Sequence, residues 1–313
     1  MIQNSHQPIT DRLGRVIAVL APAPEDISYQ ESAKKASQRM ITEAEHVHFE
    51  ADELKDVKRG EFHALNIGLA YGNGHTKPTN RALGRFEDLA KNLLEDVDIQ
   101  RLASYQDGML CSRSSKKKNF VKKKTSLATY ALWHPNAYRY YNTYLNKLGE
   151  VYPQLNLRLF PKSIMPSVAF NLGKRVATKK HVDSQNCPFG WCLITALGEF
   201  DATKGGHLIL WDLGILIEFP AGACICLPSA LITHSNIPTA TNESRMSFTQ
   251  YCGGEIFRHI ENGFRTDKDL KKKDPAILLY RKEIRKRRIE DGYNMFSKIE
   301  DLMQSWGKKR MEL

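Results

Sequence analysis

The sequence predicts an α+β protein, a jelly-roll β core with helices ahead of it and a helix at its C-terminal end. Three observations predict this. Helical periodicity dominates before about residue 160. Short apolar runs punctuated by Gly, Pro and Asn fill residues 168–251. A helical stripe returns after Asp274. With 313 residues, 42% apolar and 26% charged, the chain has the composition of a folded protein with ample core, not of a disordered one.

Taken in order, Arg15–Leu20 reads as a short strand ended by Pro22 and Pro24. Residues 31–58, rich in Glu, Lys and Ala, read as a helix, and Ala64–Tyr71 as a strand broken by Gly72-Asn73-Gly74. Leu89, Leu93, Leu94 and Val97 have helical spacing over 86–104. The lysine run from Lys116 to Lys124 reads as an exposed loop, because like charges repel, and Pro135–Leu148 reads as a helix with an aromatic side. The β-rich part offers Val168–Leu172, Trp191–Leu197, His207–Leu213, Ile215–Phe219, Ala223–Leu227 and Met246–Tyr251 as strands. Asp274-Pro275 makes an N-cap and N1 pair for a helix whose stripe is Ile289, Tyr293, Phe296, Ile299 and Met303.

Other classes are excluded. The most apolar stretch, 214–228, holds Glu218 and two prolines, so no membrane span is expected. The start has no charged region followed by an apolar one, so no secretory leader is expected. None of the six cysteines forms a C-x-x-C pair. Reduced thiols, and hence an intracellular protein, are the expectation.

The net charge of +11 is local. Residues 101–130 carry +7 and residues 265–313 carry +6, while the rest is close to neutral. Clustered positive charge favours a polyanion, most simply nucleic acid. Lys116, Lys117, Lys118, Lys122, Lys123 and Lys124 are the candidate DNA-backbone contacts.

His181-Val182-Asp183 opens the β-rich part. In an extended segment residues i and i+2 share a side, so two ligands of different type face one cavity. Two histidines and one carboxylate with open positions mark non-haem Fe(II) oxygenases, so a third ligand is needed. His207 follows Asp183 by 24 residues and His234 by 51. The longer spacing holds about five strands, enough to wind round a jelly roll and return, so His234 is preferred. His46-Val47-His48-Phe49-Glu50 also resembles a ligand cluster. Read as helix, it sends i and i+2 about 200° apart, which argues against a site.

Arg245 follows His234 by 11 residues, and the alternation Arg245, Ser247, Thr249, Tyr251 gives one strand a polar face that needs a reason. Lining a ligand cavity is such a reason. A forked guanidinium beside an iron site suits the carboxylate of 2-oxoglutarate, with Ser247 adding a hydrogen bond.

His181-x-Asp183-x-x-Asn186, Gly205-Gly206-x-Leu208 leading to Trp211, His234, and Arg245-x-Ser247 with Tyr251 together resemble the TET/JBP oxygenases over roughly 60–265. Phe189-Gly190-Trp191-Cys192 and Phe219-Pro220-Ala221-Gly222 are phrased most like the short fungal members. The resemblance implies a double-stranded β-helix oxygenase core using Fe(II), 2-oxoglutarate and O₂. It implies base contacts for Asn186 and Tyr251 and places Asn171 toward the co-substrate. Gln185 stands where animal members carry a histidine and is grouped with the substrate residues, and the cysteine-rich zinc module of those members is absent from this sequence.

The expected division is an N-terminal strand and helical extension at 1–60, a dioxygenase domain at 61–265 and a basic helical segment at 266–313. The expected activity is oxidation of the methyl group of 5-methylcytosine in double-stranded DNA, with N6-methyladenine a further substrate, by a nuclear monomer. A 2-oxoglutarate hydroxylase of a protein side chain or small molecule, and a catalytically silent DNA-binding module, are the alternatives.

Overall fold

The computed structural model describes residues 6–50, 59–72, 74–107, 109–110, 126–127 and 129–311. The strands are β1 (Gln7–Thr10), β2 (Val16–Ala21), β3 (His63–Ala70), β4 (Thr79–Asn80), β5 (Met109–Leu110), β6 (Ser126–Leu127), β7 (Ser167–Leu172), β8 (Cys192–Glu199), β9 (Leu208–Leu210), β10 (Ile215–Ile217), β11 (Cys224–Leu227), β12 (His234–Asn236) and β13 (Ser244–Tyr251). Among the described residues eight strands form one sheet in the order β1-β2-β11-β8-β13-β7-β3-β4, and three form a facing sheet in the order β10-β9-β12. The strand pairings within these two sheets are antiparallel. From β7 to β13 the only chain neighbours that pair are β9 and β10, as winding between two sheets of a jelly roll requires.

The large sheet is covered on both faces. Cys224 and Cys226 of β11 face one apolar cluster with Tyr29, Met40, Leu93, Leu102 and Phe248, whereas Ile225 and Leu227 face a second with Leu208, Leu210 and Phe219 of the small-sheet side. Alternation along the strand assigns the two faces. Burial on both sides explains why β8 and β11 read as nearly unbroken apolar runs. Truncating a core side chain as buried as Phe248 to Ala would cost about 3–5 kcal/mol.

The helices are α1 (Ile27–Glu45), α2 (Glu87–Glu95), α3 (Val97–Asp107), α4 (Thr129–Trp133), α5 (Pro135–Val151), α6 (Gly254–Glu261), α7 (Asp267–Lys273), α8 (Pro275–Lys286), α9 (Arg288–Met295) and α10 (Ile299–Met311). Helices α1 and α3 lie against β8. The Asp26 carboxylate caps α1 by accepting from the Ser28 amide. At the other end the chain returns to the first strands. The Val16 amide donates to Ser297 O, the Ile299 amide to Gly14 O, and Trp306 meets Trp133 edge-on at 5.0 Å. Residues of the first 60 and of the last 48 thus share the core with the β-rich part.

Several expectations need correction. The first helix starts earlier and stops at Glu45, so His46–Glu50 is not helical. The helix expected over 86–104 is two, because Asp96 takes extended backbone and its carboxylate accepts from the Asp98 and Ile99 amides, capping α3. Trp211–Leu213 is a single 3₁₀ turn, not the end of a strand. The Asp274 carboxylate does not cap α8. It pairs with Arg265, while Pro275 does occupy the first turn. The stripe after Asp274 does not face one core: Phe296 is buried, whereas Ile289, Tyr293 and Met303 are exposed, and the helix breaks before Ile299.

Candidate metal centre and its cavity

His181 and His234 are opposite residues of one antiparallel bridge. The His181 amide donates to His234 O at 3.0 Å and the His234 amide returns the bond at 2.9 Å. Their rings stand 4.3 Å apart. Each ring donates its Nδ1 hydrogen to the carbonyl two residues before it, Lys179 O at 2.7 Å and Ile232 O at 2.8 Å. Both rings therefore present the lone pair of Nε2. Asp183, whose amide donates to Ser229 O at 2.9 Å, brings Oδ1 to 3.9 Å from His181 Nε2. One donor atom from each of the three lies within 4.8 Å of the others. Burial, and then the neighbouring His181 ring, lower the His234 pKa and favour the neutral ligand form. Two imidazole nitrogens and a carboxylate on one side of a cavity fit a divalent iron with open positions.

The 51-residue spacing thus returns His234 beside His181, and His207 is not among the cavity-lining residues. The cluster His46–Glu50 forms no such group among the described residues.

Arg245, at the start of β13, is 3% exposed. Its Nη1 donates to Val176 O at 3.1 Å, while its Nε is buried with no partner among the described residues. Burial lowers its pKa to about 10, so it stays charged at neutral pH. Gly206 makes room for it. At φ +72°, a Cβ there would meet the Phe200 ring at 2.7 Å and Arg245 Cδ at 3.3 Å. Ser247 follows on the same strand face and accepts a hydrogen bond from Asn171 Nδ2 of β7 at 2.9 Å. A buried cation with a free N–H beside two polar side chains fits a carboxylate guest.

These two groups open into one cavity of about 440 Å³. Its wall includes Arg245, Ser247, Thr249 and Tyr251 from β13, so the polar face of that strand looks inward. The opposite face buries Met246 and Phe248, and Gln250 joins a polar cluster with Ser163 and Gln106. Asn186, Gln185 and Asn171 also line the cavity. A turn closed by the Asn186 amide on Asp183 O at 2.9 Å carries Asn186 beside the metal ligand. Its Nδ2 donates to Cys192 Sγ at 3.1 Å and Ser229 Oγ at 3.3 Å. The Tyr251 hydroxyl donates to Asn66 Oδ1 at 3.2 Å, and burial raises its pKa.

Sequence reasoning missed Arg59, Arg81, Asn66 and Asn236 on the same wall. Arg59 Nη2 donates to Asp183 Oδ1 at 2.5 Å. These residues come from segments far from the motifs in the chain, and no periodicity singles them out. Lys116, Lys117, Lys118, Lys122, Lys123 and Lys124 lie outside the described residues.

No protein-family profile and no curated protein matches the chain. Among solved structures it is similar to NgTET1 in complex with 5mC DNA, at 16% identity and TM-score 0.44 over 79% of this chain and 75% of that one. It is similar to a 2OG-Fe(II) oxygenase family oxidoreductase from Burkholderia pseudomallei at 16% identity and TM-score 0.35, covering 75% of this chain and 84% of that one. AviO1 from Streptomyces viridochromogenes Tue57 gives 13% identity and TM-score 0.36, covering 77% and 91%. These likenesses are distant, and the site's own geometry carries the functional reading.

Proposed function

We propose that the protein is an Fe(II)- and 2-oxoglutarate-dependent dioxygenase that oxidises the methyl group of methylated bases in duplex DNA, 5-methylcytosine first and N6-methyladenine second. One observation carries this reading. A single cavity holds both a converging His181, Asp183 and His234 set and a buried Arg245 whose Nε lacks a partner. Iron, 2-oxoglutarate and O₂, when bound, supply decarboxylation of 2-oxoglutarate to succinate and CO₂ coupled to insertion of one oxygen atom into a C–H bond.

The chain's own residues bind and orient. His181 and His234 would hold the metal through Nε2, each fixed by its Nδ1–H bond, and Asp183 supplies the anionic ligand. Arg245 would grip the distal carboxylate of 2-oxoglutarate, with Ser247 and Asn171 beside it. Asn186 and Tyr251 would meet the substrate base, the first by hydrogen bonds and the second by its ring, with Gln185 at the rim.

Charge supports an anionic substrate. The charged side chains on the cavity wall, besides the two histidines, are Arg59, Arg81, Arg245 and Asp183. A divalent metal and a dianionic co-substrate cancel, which leaves an excess of two positive charges for the substrate. The basic stretches 101–130 and 265–313 favour a polyanion outside the cavity. A methyl in a duplex groove reaches an enclosed site only if its nucleotide is flipped out. On a carbon-bound methyl the alcohol persists, and on a nitrogen-bound methyl it releases formaldehyde. Nuclear localisation goes with a DNA substrate.

The test is mass spectrometry of nucleosides after incubation of the iron-loaded protein with duplexes carrying either base. Hydroxymethylcytosine, or adenine with formaldehyde, is expected, and His181→Ala or Asp183→Ala abolishes both. Succinate release stimulated by a peptide or small molecule and not by methylated DNA would overturn the DNA assignment.

A further inference from the structure

Under the cavity wall lies a small polar group that the reading above does not use. Ser229 and Cys192 are 1% and 2% exposed, and the Ser229 hydroxyl donates to Cys192 Sγ at 2.8 Å. Both then accept from Asn186 Nδ2, at 3.3 and 3.1 Å. The assignment of hydrogens follows from their number. Ser229 has one hydrogen, and Cys192 already receives it, so each partner offers a lone pair to the amide nitrogen. With the amide turned over, both hydrogens would have to point at Oδ1, and the Ser229–Cys192 contact would lose its own. Nδ2 therefore faces the buried pair. Oδ1, which has no partner among the described residues, is left for the cavity that Asn186 lines.

We propose that Ser229 and Cys192 are positioning residues that lock the Asn186 amide with its acceptor toward the substrate, so that the site takes a base whose exocyclic group beside the methyl is an N–H donor. This rests on the reading of the cavity as a base pocket. A C5 methyl aimed at the metal brings the C4 substituent to the side chain next to a metal ligand. Asn186, three residues from Asp183, is that side chain. Cytosine offers an amine there and thymine a carbonyl, which an amide oxygen repels. N6-methyladenine keeps one N–H on the same exocyclic nitrogen. Substrates are then separated by polar mismatch, which discriminates more strongly than the loss of a methylene.

The experiment compares kcat/KM on duplexes identical except for 5-methylcytosine or thymine at one position. The parental protein is expected to prefer 5-methylcytosine. In Ser229→Ala combined with Cys192→Ala, the amide is released and the preference should fall roughly tenfold or more, with the KM for 2-oxoglutarate unchanged. Cys192→Ser keeps an acceptor at the same place and should keep the preference. A preference unchanged in the double variant, or equal oxidation of both bases by the parental protein, overturns the lock alone. Oxidation of no base by the parental protein overturns the base-pocket reading and the lock with it.

Discussion

Arg59 Nη2 stands 2.5 Å from Oδ1 of Asp183, so the carboxylate of the candidate metal triad already carries a cation. The same oxygen is the one 3.9 Å from His181 Nε2. Metal and guanidinium therefore compete for one ligand oxygen. The mutual repulsion of a divalent ion and a guanidinium at ~4 Å is worth about 2 kcal/mol even at the dielectric constant of bulk water. Arg59→Ala should accordingly tighten Mn(II) binding roughly thirtyfold, measured by titration calorimetry. Weaker binding in the variant would mean that Arg59 orients Asp183 and does not compete.

Arg245→Lys keeps the charge and loses the fork. With Nε unpaired in a buried site, a carboxylate guest would gain a charge-assisted bond that lysine cannot make in the same plane. The loss should be ~1.5–3 kcal/mol, which raises the KM for 2-oxoglutarate by roughly tenfold to a hundredfold. An unchanged KM would place the carboxylate elsewhere.

Much of this site was legible because its residues share short-range patterns. His181 and Asp183 are two apart on extended backbone, and Arg245 to Tyr251 alternate along one strand, so period-2 reasoning puts each set on one wall. His234 was preferred on a spacing that fits the winding of a jelly roll, with Arg245 following it. Arg59 left no trace of this kind, since it meets Asp183 across 124 positions of the chain. The helix boundaries failed for a different reason. Asp96 interrupts an apolar stripe that looks continuous, and its capping carboxylate is the signal that a break was available to read. His46–Glu50 has a helical composition, but α1 ends at Glu45 with His46 as its C-cap.

Asp107 predicts a pH dependence of stability. It is fully buried, and burial raises its pKa from 3.8 to about 7. Ser163 Oγ lies 2.8 Å from Asp107 Oδ2 and 2.7 Å from Gln250 Oε1 but has one hydrogen, so a protonated Asp107 donating to Ser163 satisfies the set. The folded chain then holds a proton that the unfolded chain releases above about pH 4. Stability should therefore be full below pH 4 and fall as pH rises toward 7, by up to ~1.4 kcal/mol per unit. Asp107→Asn should flatten urea midpoints measured between pH 5 and pH 7. The parental slope persisting in that variant would assign the dependence to other groups.

The lysine run predicts a salt dependence from charge alone. Replacing Lys116, Lys117 and Lys118 with glutamine should reduce the log–log salt slope of DNA binding by ~0.9 per lost phosphate contact, and so by up to about 3. No change in slope would show that these lysines do not meet the backbone.

The most direct measurement of the central claim is oxygen-isotope tracing on a 5-methylcytosine duplex under ¹⁸O₂, with succinate counted in the same tube. One ¹⁸O in succinate per turnover, ¹⁸O in the hydroxymethyl group, equal amounts of the two products and loss of both in Asp183→Ala are the predicted results. Unlabelled hydroxymethylcytosine formed without succinate, or products that survive in Asp183→Ala, would contradict the assignment of His181, Asp183, His234 and Arg245 to one oxygenase site.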